Sequence, residues 1–258
     1  NPNKYLSSIF LSKPIWTDMI KLINITLGLW LLLAACTTSS ETPTITPGTA
    51  PTEKEDNQSG DIRFLALGDS YTIGQSVSED QRWPVLMVEE LRRGGKSIAP
   101  PEIIARTGWT TGDLIRTLNE NPPAKKYDLV SLMIGVNNQY QGRDTEEYKS
   151  EFQLLLKKAI SYADGGKNQV FVLSIPDWSV TPYASGTDKA RMAAEIDKFN
   201  DVARQECEKG GVSFVDITPV SRTALHDKGL VAIDGLHYSG KMHKLWVNEA
   251  ILIVNKKL

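Results

Sequence analysis

Cysteine, histidine and long apolar runs are all scarce in this chain. Its 258 residues include two cysteines, Cys36 and Cys207, and three histidines, His226, His237 and His243. No Cys/His group has zinc-ligand spacing, and no metal or organic cofactor is expected. Cys207 falls in a predicted helix and reads as a small buried apolar residue. Charge of one sign is lacking too: 29 basic against 31 acidic residues leave a net charge of −2. No global field draws such a chain to phosphates, which excludes nucleic acid as a partner. The 41% apolar and 23% charged composition is that of a globular domain with a full core.

The apolar run from Leu22 to Ala35 falls short of the roughly 20 residues a membrane span needs, but it has the length of a secretory signal core. It follows Met19 and one lysine, and it ends in Leu33-Ala34-Ala35-Cys36. That ending resembles the lipobox of bacterial lipoproteins, which implies cleavage before Cys36, lipid on its sulfur and attachment to a membrane facing periplasm or exterior. Residues 1–18 carry no methionine and are expected to be an upstream or non-native extension, with residues 19–36 the signal peptide. With Cys36 committed to lipid, no intramolecular disulfide remains. Residues 37–60, rich in Thr, Pro and Ser, have almost nothing to bury and read as a flexible tether. The domain proper is expected at residues 61–258, as a monomer.

Within that domain aliphatic runs alternate with segments of helical period. Strands are expected at Ile62–Leu67, Glu102–Ala105, Leu129–Ile134, Val170–Ile175 and Val212–Asp216. Helices are expected at Glu79–Arg93, Thr111–Asn119, Thr145–Ala163, Lys189–Lys209 and Gly240–Lys256. The alternation predicts a parallel sheet with right-handed crossovers and helices on both faces. Ligands bind beyond the carboxyl ends of the strands in such sheets. There the sequence places "GDSY", "RTGW", "GVNN" and, near the chain's end, "DGLH".

On "FLALGDSYTIG" alone Ser70 has two readings, helix cap or nucleophile. Acting as a nucleophile, it needs a base and a group to orient that base. His237, with Asp234 three residues before it, supplies both from one loop; His226 and His243 lack such a partner and are expected on the surface. Oxyanion donors are available in the backbone N–H groups of Ser70 and Gly108 and the side-chain amide of Asn137. Asp69 is expected to brace the turn rather than to act as the catalytic acid.

These blocks resemble those of the SGNH/GDSL hydrolases: Gly68-Asp69-Ser70 the first, Gly108 the second, Asn137 the third, Asp234 and His237 the last. One departure is visible, Asn138 where the family often has Asp; it is expected to leave the Asn137 donor intact. An α/β-hydrolase elbow needs glycines two residues either side of the serine; Gly68 fits and Thr72 does not. The resemblance implies a flavodoxin-like three-layer α/β/α sandwich with a five-stranded parallel sheet, a Ser70–His237–Asp234 triad and an ester substrate. Tyr71, Trp109, Tyr140, Trp178 and Tyr183 lie near the expected site and are candidates for substrate contact, although large aromatics more often pack. A carbohydrate O-deacetylase, a lysophospholipase or acyl-ester lipase at the membrane, and a catalytically silent tethered glycan-binding protein are the three functions left open.

Overall fold

The computed structural model describes residues 61–258. The signal, lipid-attachment and tether readings fall outside the described residues.

Five strands form one parallel sheet: β1 (Phe64–Gly68), β2 (Glu102–Ala105), β3 (Leu129–Met133), β4 (Val170–Leu173) and β5 (Ser213–Val215), in the order β2-β1-β3-β4-β5. Every residue of β1, β3 and β4 is buried, which is why these segments read as unbroken apolar runs rather than alternating ones. The edge strands β2 and β5 are only partly covered. Phe64 stacks on Phe171 and Trp83 packs at an angle against both, with ring centroids 6.1 to 6.4 Å apart, which joins the centre of the sheet to a flanking helix. Each such ring contributes about 2 kcal/mol through burial alone.

The principal helices are α2 (Trp83–Arg93), α3 (Thr111–Glu120), α5 (Thr145–Tyr162), α6 (Lys189–Gly210) and α8 (Gly240–Asn255); α1 (Ser70–Ile73), α4 (Val136–Tyr140) and α7 (Thr218–Ser221) are single turns. Right-handed crossovers put α2 and α8 together on one face, and α3, α5 and α6 together on the other. The result is the expected three-layer sandwich. Sequence signals fix the helix ends. Thr110 and Asp113 form a reciprocal capping box at α3, Asp144 caps α5, and Gly211 closes α6 in the left-handed region at φ 65°.

Strand ends shift by one or two residues from expectation, β1 running Phe64–Gly68 rather than Ile62–Leu67 and β4 ending at Leu173 rather than Ile175, and one helix start differs more. The helix predicted from Glu79 is a 3-10 turn over Glu79–Gln81, then α2 starting at Trp83. Pro84 sits in the first turn of α2, where its missing N–H costs nothing, and Arg82 before it is extended.

Topology positions the site. The connection from β1 runs to β2 on one side and the connection from β2 returns past it to β3, so the chain switches direction between β1 and β3 and leaves a crevice at their carboxyl ends. The register levels those ends: Gly68 pairs with Ala105 on one side and with Met133 on the other. The loops carrying Ser70, Gly108 and Asn137 therefore leave the sheet at one height. Among the described residues no helix is long and apolar enough to cross a membrane.

Candidate active site

Ser70 is the first residue of α1, immediately beyond β1, and is 4% exposed. It does not cap the helix. Asp69 does, its Oδ1 accepting the Tyr71 N–H at 3.0 Å, so the cap and the candidate nucleophile are adjacent residues with separate tasks. Gly68 makes the sharp turn possible: a Cβ there would lie 2.2 Å from Thr72 Oγ1 and 2.5 Å from the Met133 carbonyl oxygen. Asp69 is fully buried, and burial raises its carboxyl to about 7, against the hydrogen bonds it accepts from backbone N–H groups.

The second loop, after β2, turns through Gly108 at φ 86°, a conformation that favours glycine. The third begins at Gly135, φ 132°, where a Cβ would come within 2.7 Å of the Tyr148 ring. Asn137 then sits at the start of α4 and donates one Nδ2 hydrogen to the Trp109 carbonyl at 2.9 Å. A primary amide has two such hydrogens, so one is left for a ligand. Asn138 faces elsewhere: it is buried, accepts the Thr111 N–H at 3.0 Å and donates to the Thr111 hydroxyl at 2.6 Å. The departure from the family pattern thus lies in a bond to α3, and the two asparagines stitch the second and third loops together.

His237 and Asp234 meet in the last loop, Nδ1 to Oδ2 at 2.6 Å. A carboxylate only accepts, so Nδ1 carries the proton and Nε2 keeps a lone pair. Gly235 at φ 73° allows the tight turn, and Asp234 Oδ1 accepts the N–H groups of Leu236 and His237, both at 2.9 Å. Partial burial works to raise the Asp234 carboxyl. It is outweighed by a hydrogen bond from Ser76, followed by those from Leu236 and His237, and the group is held well below the usual carboxylate range. Ser76 Oγ, at 2.6 Å from Oδ2, is a partner that the sequence did not reveal.

No hydrogen bond joins the Ser70 hydroxyl to His237 among the described residues; catalytic hydrogen bonds in unliganded sites are often long. Tyr71, next to Ser70, makes the contact, its ring edge-on to the imidazole at 5.5 Å. Tyr71 is 3% exposed and packs on Tyr238 and Trp246, so it supports His237 from behind rather than facing a ligand. Trp178 is likewise buried, its Nε1 donating to Gln139. Trp109 is half-buried. Tyr140 and Tyr183 are half exposed, at 55% and 50%, their hydroxyls 3.1 Å apart and each ring edge-on to that of Trp178. Tyr183 is tied to the loop of Asp234 and His237 through its N–H to the Gly235 carbonyl.

His226 is exposed, as expected, but His243 is not. It is 1% exposed, donates Nδ1–H to the Gln81 carbonyl at 3.0 Å and stacks on Trp246 at 4.7 Å. Burial lowers it to about 4.

A five-stranded parallel sheet in this order, covered by helices on both faces and with Ser70, Gly108 and Asn137 on loops beyond its carboxyl ends, defines a three-layer α/β/α sandwich. Residues 66–245 match the GDSL-like Lipase/Acylhydrolase family, and the chain belongs to it. No curated protein matches its sequence. Among solved structures it is similar to the acetylxylan esterase of Geobacillus stearothermophilus, with a TM-score of 0.58, 19% identity, and coverage of 76% of this chain and 95% of that one. It is also similar to a member of the lipolytic G-D-S-L family from Veillonella parvula DSM 2008, at TM-score 0.59 and 14% identity over 75% and 98% of the two chains. The acetyl xylan esterase AlAXEase aligns at TM-score 0.60 and 17% identity over 75% of this chain and all (100%) of its own.

Proposed function

We propose that this enzyme is a serine esterase that works through an acyl-enzyme on Ser70 and removes O-acetyl groups from carbohydrate. The reading rests on the Asp234–His237 bond of 2.6 Å, set at the same sheet edge as Ser70, Gly108 and Asn137. His237 Nε2 takes the Ser70 proton as Oγ attacks the ester carbonyl carbon. The backbone N–H groups of Ser70 and Gly108 and the free amide hydrogen of Asn137 hold the oxyanion, each such donor being worth about 3 kcal/mol. The tetrahedral intermediate collapses, and the alcohol leaves with the proton from His237. Water, deprotonated by His237 in turn, attacks the acyl-enzyme; the second tetrahedral intermediate collapses, His237 returns the proton to Ser70 Oγ, and the carboxylic acid is released. Asp234 stays ionised throughout, holding the tautomer and stabilising the imidazolium.

The carbohydrate side of the reading is supported by the exposed Tyr140–Tyr183 pair beside the triad loop, two aromatic rings against which a sugar ring can pack. The acetylxylan esterases among the structural neighbours agree with it. One observation favours an acyl-chain substrate instead: Ile233, directly before Asp234, is fully exposed. p-Nitrophenyl acetate and p-nitrophenyl palmitate, followed by acetylated xylan, separate the two. Preference for acetate with acetic acid released from xylan is expected; preference for palmitate assigns an acyl-ester lipase, and absence of any ester turnover contradicts both.

The proposal includes export as a bacterial lipoprotein tethered through lipid on Cys36. The intact mass of protein made in a bacterial host should show a lipidated N-terminal Cys36, and a mature N-terminus upstream of it contradicts the tether.

A further inference from the structure

Asp234 is anchored unequally. Its Oδ1 is fixed by two backbone N–H groups of its own loop, whereas Oδ2, the oxygen that faces His237, has one other partner, the hydroxyl of Ser76 at 2.6 Å. The two residues are 158 positions apart in the chain.

Ser76 holds an unusual backbone. At φ 66° it is the one non-glycine residue in the left-handed region among the described residues. Glycine adopts that conformation without a steric penalty and serine does not. What serine adds there is a hydroxyl, and this hydroxyl is spent on Asp234. The turn that carries it begins at the nucleophile: Gly74 N–H and Gln75 N–H both donate to the Ser70 carbonyl, at 3.0 and 2.9 Å, with Gly74 itself at φ 74°. On the other side Gln75 Oε1 accepts the hydroxyl of Thr107, the residue before Gly108, at 2.7 Å. One short turn thus connects the carbonyl of Ser70, the second loop and the triad acid.

We infer that Ser76 is a positioning residue of this active site: its hydroxyl fixes the Asp234 carboxylate with Oδ2 toward His237 Nδ1 and ties the acid's loop to the nucleophile's turn. The inference rests on the triad proposed above. Ser76 touches neither substrate nor the reacting atoms; it acts through Asp234. Its hydrogen bond also counts among those that keep this carboxyl ionised.

Ser76→Gly is the test, because glycine fits the backbone and lacks only the hydroxyl. On p-nitrophenyl acetate kcat is expected to fall about tenfold with KM unchanged, in keeping with the cost of small misplacements at a reacting centre. The thermal midpoint should stay level or rise, and the downfield proton resonance of His237 Nδ1–H should shift. Ser76→Asn, which tolerates the left-handed backbone and restores a short hydrogen-bond donor, should recover part of kcat. A kcat within twofold of the parent with an unmoved resonance overturns the inference, provided Ser70→Ala is inactive in the same assay. A midpoint that falls together with kcat in Ser76→Gly, with no rescue by asparagine, assigns a structural role and also overturns it. Turnover retained by Ser70→Ala overturns the triad, and this inference with it.

Discussion

Two buried groups close to the site titrate in opposite senses, and their effects on stability should cancel. Asp69 is raised from 3.8 to about 7 by burial, so in the folded protein it holds a proton that the unfolded chain has lost. Its contribution is fully present below pH 3.8 and is lost as pH rises toward 7. His243 is lowered by burial from 6.5 to about 4, so the unfolded chain holds a proton that the fold excludes. Its contribution is complete above pH 6.5 and is lost as pH falls toward 4. At 1.36 kcal/mol for each pH unit between folded and unfolded values, Asp69 accounts for about 4 kcal/mol and His243 for about 3 kcal/mol. In the overlap of the two windows the slopes are equal and opposite. His243→Phe keeps a ring on Trp246 and deletes one of them; Asp69→Asn keeps the oxygen that accepts the Tyr71 N–H and deletes the other. Urea unfolding at a series of pH values from 4 to 7 reads both, with the parent subtracted so that other titrating groups drop out. Relative to the parent, His243→Phe should lose stability as pH rises, by roughly 1.4 kcal/mol per unit, and Asp69→Asn should gain it at a similar rate. A difference that stays constant across this range for either variant refutes the burial argument for that residue.

Asn137→Ala should lower kcat by roughly 10²- to 10³-fold, through loss of one oxyanion donor, while the far-ultraviolet circular dichroism stays unchanged. Unchanged turnover removes Asn137 from the proposed oxyanion hole. Gly135→Ala should lower the unfolding free energy by about 3 kcal/mol and the urea midpoint with it, because the new Cβ meets the buried Tyr148 ring at 2.7 Å in a backbone region that disfavours side chains. An unchanged midpoint would show that Tyr148 can move aside.

The sheet was legible because its central strands are covered on both faces and so carry unbroken apolar runs, and three of the four family blocks could be placed because they directly follow β1, β2 and β3, whereas Asp234 and His237 lie beyond α7 in the loop before α8. Short range limits what such reading reaches. The Asp69 cap was within reach, being local to one turn. The Ser76–Asp234 bond joins segments that only the sheet brings together, and nothing around Ser76 marks it. His243 is different, since its signal was present: Trp246, Val247, Ala250 and Val254 follow it at helical spacing and line the buried face of α8. The lack of a carboxylate partner suggested a surface residue, but periodicity was the better guide. Tyr71 and Trp178 were singled out as aromatics near the site, and sequence distance could not tell that their rings turn inward.

The central claim is that Ser70 is a nucleophile activated by His237 and Asp234. A fluorophosphonate that reacts only with activated serines tests it most directly, with the adduct mapped by mass spectrometry. A single adduct on Ser70, absent from Ser70→Ala and strongly slowed in His237→Ala together with ester turnover, is the expected result. An unlabelled Ser70 in an enzyme that still turns over esters, or an adduct on another residue, would contradict it.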